Sequence, residues 1–217
     1  MIFNVHYALE ILPGLARASL VTLLATVVGI GLALPLGLIV AVVRTARIRP
    51  FSWIAAVYVE FIRDTPLLIQ LFFLYYVFPL WGIVLPTAVV GLVGLAVYYA
   101  AYTSEVFRAG IEGVPSGQWE ATVALNFSDS QRWLRIVLPQ AIPPTVPSLG
   151  NYLIAMFKDT PLLSTIGVQE LLGVALFQAG VNYRYFEPLT IVGLLFLVLS
   201  WPSALLIRAL ESKFHAK

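Results

Sequence analysis

The stretch EATVALNFSDSQRWLRIVLP, residues 120–139, decides how this chain is read. It is the longest segment without a sustained apolar run. It carries Glu120, Asp129, Arg132 and Arg135, and hydrophobic blocks flank it on both sides. Its order is Glu120-Ala121-Thr122, three residues, Asn126, nine residues, then Ile136, Leu138 and Pro139. An ordinary amphipathic surface loop is the plain alternative, because Glu-Ala pairs are common. The full spacing, set between membrane-like blocks, argues against it.

Those blocks dominate the composition. Of the 217 residues, 60% are hydrophobic and only 11% charged, and the mean hydropathy is +0.91. Soluble domains run near a quarter charged, so the chain reads as an integral membrane protein forming one membrane domain over residues 1–217. There is no cysteine, so disulfides play no part. The net charge of +2 gives no case for nucleic acid. No cleavable signal precedes the first apolar run, which is expected to serve as an uncleaved insertion signal.

A helix needs about 20 apolar residues to cross a bilayer core, and five such spans fit. The first is expected over about residues 15–43, after an amphipathic lead-in and opened by Pro13-Gly14; small residues along it point to close helix contacts. The second covers about 51–79 and is interrupted by Glu60, Arg63 and Asp64. The third runs from about 87 to 107 and ends at Arg108. The fourth begins near Pro139 and continues to Phe157. Residues 162–180 are apolar but short and contain Gln169 and Glu170, which suggests a re-entrant or interfacial helix. The last span covers about 188–207.

Charge then sets the orientation. Arg44, Arg47 and Arg49, then Arg108, Arg132 and Arg135, then Arg208, Lys213 and Lys217 all fall on one side of a five-span arrangement. That is nine of the thirteen basic residues. The positive-inside bias puts the N-terminus outside, the C-terminus inside and the loop at about 112–138 in the cytoplasm. The expected fold class is therefore an all-α integral membrane protein with five transmembrane helices, a cytoplasmic loop whose coupling helices are implied by the family resemblance given below, and a short re-entrant or interfacial helix.

An octapeptide repeats within the spans. FIRDTPLL at 61–68 returns as MFKDTPLL at 156–163. Ionisable residues at membrane depth are functional-site candidates. Each proline leaves a carbonyl four residues back without a donor, that of Ile62 or of Phe157. Threonine before proline is also the pairing expected at the first positions of a new helix. Each copy therefore reads as a break with a fresh helix N-terminus, where N–H groups attract a carboxylate while the neighbouring aspartate takes a cationic group. An amino-acid-like zwitterion meets both demands. The bland alternative is that Arg63–Asp64 and Lys158–Asp159 neutralise each other and cap kinked helices.

The loop resembles the EAA loop of the membrane subunits of ABC importers, whose short helices dock into a groove on a separate ATPase subunit. Thr122 departs from the second alanine, and Asn126 stands in place of a glycine. Asparagine is the residue that best tolerates the left-handed conformation such a glycine adopts, so the turn is expected to persist. The resemblance implies coupling roles for Glu120, Ala121, Leu125, Asn126, Ile136, Leu138 and Pro139.

Within the spans the sequence resembles permease subunits of polar amino-acid importers. Tyr58, Glu60, Arg63, Thr65, Pro66, Leu67 and Leu68 match the motif Y-x-E-x-x-R-x-T-P-L-L, and Lys158, Asp159, Thr160, Leu162 and Leu163 match K-D-T/S-x-L-L. Pro161 stands where the family more often has serine. Tyr102, Glu105 and Arg108 match A-Y-x-x-E-x-x-R and are expected to pack helices near a gate. The resemblance implies a substrate site that includes Asp159, Thr160, Lys158, Asn151, Tyr152, Arg63, Asp64 and Thr65. Tyr152 replaces a glutamate found in some cationic amino-acid importers. Its ring face suits a delocalised cation, though a core aromatic is an equal reading.

Segments such as EGVPSGQWEAT and NYRYFEPLT look closest to ectoine and hydroxyectoine importer permeases. Implied partners are a dimer of ATPase subunits that bind the ATP and Mg, a second permease copy or homologue, an extracytoplasmic binding protein, the lipid bilayer and a small zwitterionic substrate. The location implied is the bacterial inner membrane. The chain has no phosphate-binding loop of its own, so it is expected to hold no cofactor and no metal. An ion-coupled secondary transporter also uses repeats and broken helices but leaves the loop at 120–139 unexplained. An intramembrane enzyme is disfavoured, because His6 and His215, the two histidines, lie at the termini and no nucleophile–base pair is apparent.

Overall fold

A computed structural model describes residues 3–46 and 49–215, with the side chains of Leu206 and of residues 208–215 outside that description. Arg47 and Lys217, counted in the charge bias, thus lie outside the described residues, as do the side chains of Arg208 and Lys213. The described residues are helices joined by turns, with no strand among them. The all-α class holds.

The main helices are α1 (Val5–Thr45), α2 (Phe51–Asp64), α3 (Leu67–Phe72), α4 (Thr87–Glu112), α5 (Ser116–Ala124), α6 (Asp129–Gln131), α7 (Leu138–Ala141), α8 (Val146–Asp159), α9 (Leu171–Asn182) and α10 (Phe186–His215). α1, α4 and α10 are long and apolar enough to cross a membrane; two broken pairs of helices bring the number to five if each pair counts as one span.

The chain divides into two compact units. One gathers α1 as far as Gly31 with Thr65–Ala96 and Leu153–Leu205; the other gathers Leu32–Asp64, Val97–Tyr152 and the end of α10.

In the first unit, α1 begins ten residues before the expected span. Asn4 caps it, its side-chain oxygen accepting the Tyr7 N–H at 3.1 Å. Pro13 therefore lies inside the helix and does not open it. The lead-in is helical because it has something to bury: Ala8, Ile11 and Leu15 pack against Leu171, Ala175, Ile191 and Val192. That burial offsets the single hydrogen bond a proline removes.

The short apolar segment resolves into two pieces. Residues Thr160–Ile166 form a 3-10 turn that ends at Gly167 with φ 90°, and α9 follows. Glu170 is fully buried and caps α9, accepting the N–H groups of Gly173 at 2.7 Å and Leu172 at 3.0 Å. The Thr22 hydroxyl of α1 donates to the same carboxylate at 3.4 Å and accepts the Leu171 N–H at 3.1 Å.

In the second unit, α4 runs through Arg108 to Glu112 instead of stopping at the arginine. Arg108 stays helical because Glu105 and Glu112, one turn either side, neutralise it. The core here joins Ala41, Phe107, Ile111, Val114, Val137, Ala141 and Leu149. α1 and α4 approach closely at Gly37, where an added Cβ would sit 2.9 Å from the Ala100 carbonyl oxygen. Backbone cannot move aside cheaply. Gly37→Ala should therefore cost about 1–3 kcal/mol and lower the melting temperature of the detergent-solubilised chain. Gly31→Ala, which meets nothing within 4 Å, should leave that temperature unchanged.

Candidate functional site

The loop at 112–138 is built from two short helical arms and an elbow. α5 ends in a left-handed turn at Asn126, φ 54°. Asn126 donates its N–H to the Val123 carbonyl and Phe127 to the Thr122 carbonyl, each at 3.0 Å. This pair of bonds is the Schellman arrangement, normally closed by glycine. Ser128 starts the second arm with a capping box, trading hydrogen bonds with Gln131. The arm continues as a widened π-helical turn over Arg132–Val137 and then α7.

The arms are bound to each other from inside the elbow. Thr122 is buried; its hydroxyl donates to the Trp119 carbonyl at 2.7 Å and accepts the Arg132 Nε–H at 3.0 Å. Arg132 also pairs with Asp129 at 2.9 Å. Trp119 and Trp133 meet edge to face, with ring centroids 5.4 Å apart. Thr122, which departs from the second alanine of the family pattern, is thus the polar tie between the arms. Its signal in the sequence was the arginine ten residues on, visible only once the turn is placed.

The elbow leaves several apolar side chains exposed among the described residues. Val123 is 65% exposed and Leu125 and Leu134 are each 68% exposed, with Glu120 and Ala121 exposed beside them. Asn126 and Pro139 are also exposed, while Ile136 and Leu138 are half-buried.

A second polar cluster lies in the same unit, where α1, α2 and α4 meet around Glu105. Its carboxylate pairs with Arg44 and with Arg108, the latter at 2.8 Å. Arg63 comes to 4.0 Å of the same carboxylate, with its guanidinium 5.6 Å over the Tyr102 ring. Arg108 reaches on to Glu112 at 2.7 Å. Three arginines thus share two carboxylates, and Arg63 is the loosest held. Its side chain is 44% exposed.

The expected substrate residues divide between the units. Arg63 faces Glu105 and does not pair with Asp64, which is exposed. Tyr152 joins a tyrosine cluster, 5.8 Å from the Tyr102 ring and 6.3 Å from that of Tyr99. Arg63 and Tyr152 are therefore brought together through Tyr102. Asn151, next to Tyr152 in the sequence, is exposed.

In the other unit Lys158 is exposed and Asp159 half-buried at the end of α8. Thr160 corrects an expectation. It is fully buried, and its hydroxyl donates to the Phe157 carbonyl at 2.8 Å. That is the carbonyl Pro161 leaves without a donor, so in this structure the hydroxyl is engaged in repairing the helix. The segment it opens is a 3-10 turn, not a fresh α-helix.

Thr65 corrects another. Pro66, not Thr65, caps α3, without a side-chain bond. The Thr65 hydroxyl and carbonyl accept instead from Gln70 Nε2, at 2.7 and 3.2 Å.

The comparisons fit this geometry. Residues 33–216 match the family model described as binding-protein-dependent transport system inner membrane component. The chain belongs to this family. It is 42% identical over 205 residues to a probable amino-acid ABC transporter permease protein of Sinorhizobium fredii, covering 94% of this chain and 89% of that one. A probable glutamine ABC transporter permease protein of Bacillus subtilis is 36% identical, covering 89% of this chain and 90% of its own length. The crystal structure of an amino acid ABC transporter with histidines superposes with a TM-score of 0.89 at 31% identity, over 98% of this chain and all of that one. The chain is an amino-acid ABC transporter permease by family, and an integral membrane protein by its family and its apolar helices.

Glu105 was expected to pack helices; it is the shared anion of three arginines. Glu105→Gln should cost about 2 kcal/mol, the scale of a charge-assisted hydrogen bond. The loss should appear as a lower melting temperature of the purified chain. In Arg44→Gln the same Glu105 change should cost measurably less, because the two share one interaction.

Proposed function

We propose that this chain is the membrane-spanning subunit of an ATP-driven importer in a bacterial inner membrane, carrying a small amino-acid-like zwitterion to the cytoplasm by alternating access. The elbow at 112–138 carries the proposal. Two short arms joined at Asn126 leave Val123, Leu125, Leu134 and Glu120 exposed, a set suited to a groove on a separate ATPase, which binds the ATP and Mg. A second permease copy or homologue completes the pathway, and an extracytoplasmic binding protein delivers substrate. An ion-coupled transporter has no use for such an elbow.

Glu120→Arg reverses charge at the edge of the docking face without touching the Thr122 tie. In proteoliposomes of the whole complex it should abolish coupled uptake at equal expression, with assembly weakened or ATP hydrolysed without transport. Wild-type uptake by this variant would remove the importer reading.

The substrate is proposed to be a zwitterion of the ectoine or hydroxyectoine kind, or otherwise a polar amino acid; the relatives named for amino acids and glutamine support the broader class. Asp159 is proposed to take the cationic part. Losing one charge-assisted hydrogen bond of about 1.5–3 kcal/mol should raise the half-saturation of transport for Asp159→Asn by roughly ten- to a hundredfold. Unchanged half-saturation with a lower melting temperature would make Asp159 structural.

A further inference from the structure

α2 is gripped firmly along its middle and loosely at its end. Val59 and Ile62 are buried and pack with Ala101 of α4, and the Tyr58 hydroxyl donates to the Val97 carbonyl at 2.6 Å. One turn later the grip loosens. Arg63 comes only to 4.0 Å of the Glu105 carboxylate, beyond the reach of a hydrogen bond. That carboxylate already serves two closer partners. Its Oε1 accepts from Arg44, and its Oε2 accepts from Nε and Nη2 of Arg108 at 3.0 and 2.8 Å. Arg63 is left with charge at a distance and the face of Tyr102, 5.6 Å away.

Beyond Asp64 the chain is held again, because Gln70 Nε2 bonds the hydroxyl and the carbonyl of Thr65 at 2.7 and 3.2 Å. Arg63 and Asp64 are therefore two exposed residues between two fixed points, directly before Thr65-Pro66. A joint needs few residues that are free to turn, with rigid pieces on either side.

A second counter-charge for Arg63 lies on its own helix. Glu60 stands three residues back, where helical side chains are neighbours. It is exposed and makes no ion pair among the described residues. Arg63 thus has two carboxylates to choose between, and Glu105 keeps Arg44 and Arg108 whichever is chosen. The two choices differ mechanically. On Glu105 the guanidinium ties the end of α2 to α4. On Glu60 it bonds within α2 and lets that end go, with no charge left bare at membrane depth.

We propose that Arg63 is a two-position latch: on Glu105 and Tyr102 it holds the last turn of α2 against α4, and on Glu60 it frees the joint at Arg63–Asp64. Its part in a transport cycle rests on the importer reading. Alternating access needs a segment that releases and re-engages, and a contact with two nearly equivalent partners supplies one.

The latch is tested by hydrogen exchange, read by mass spectrometry in the peptide covering residues 60–68 of the full-length chain in lipid nanodiscs. Arg63→Gln should speed exchange at positions 62–65 about threefold. Glu60→Gln removes the released position and should slow it about twofold. The double variant should match Arg63→Gln alone, because Glu60 acts through Arg63. An ion pair of purely structural role predicts the first effect and not the second. Unchanged exchange in Glu60→Gln or in Arg63→Gln, or additive effects in the double variant, would overturn the latch. Proteoliposomes of the whole complex then test its part in the cycle. Glu60→Gln should slow uptake of labelled ectoine or glutamine about fivefold, and uptake at the unaltered rate would refute that part. Failure of the unaltered complex to take up either compound would count against the importer reading, while the exchange result decides the latch by itself.

Discussion

Within a bilayer no water is at hand to take up a backbone group that a proline or a helix end leaves over, so the protein must supply a partner itself. Much of this structure follows from that constraint. The Phe157 carbonyl, deprived of its donor by Pro161, is taken by the Thr160 hydroxyl. At the other Thr-Pro step, Gln70 reaches back to Thr65. The first N–H groups of α9 fall to the Glu170 carboxylate and to Thr22. Thr160, Gln70, Glu170 and Thr22, polar side chains set in an apolar sequence, are all occupied with the backbone.

The same economy governs charge. Glu105 is the anion on which Arg44, Arg63 and Arg108 depend, and Arg108 extends the chain of pairs to Glu112, four residues before α5 begins. A continuous run of ion pairs therefore reaches from the helices of this unit to the base of the elbow. Since Arg63 is held only at 4.0 Å and rests on a tyrosine ring, it is the member that moves at least cost.

The sequence was most legible where one residue's own conformational preference decides the outcome. Asn126 reads as a tolerated left-handed position, and its φ is 54°. Apolar runs gave the helical class and the approximate spans for the same reason: hydropathy is local. Legibility ended where partners lie far apart in the chain. Pro13 looked like a beginning because the contacts that keep residues 5–12 helical come from beyond residue 170. Glu105 looked like packing because Arg44 is 61 residues away. The Thr160 hydroxyl looked free for a ligand because the spacing that frees the Phe157 carbonyl does not say which side chain takes it up.

Glu170 also bears on the order in which the chain is assembled. A carboxylate entering hydrocarbon costs about 2.5–3.5 kcal/mol on insertion scales, and this one is relieved by the coiling of α9 behind it and by a hydroxyl 148 residues earlier. Synthesis proceeds from the N-terminus, so α1 is already in place when residue 170 emerges. The hydroxyl on which the start of α9 depends is therefore made long before the carboxylate it pairs with.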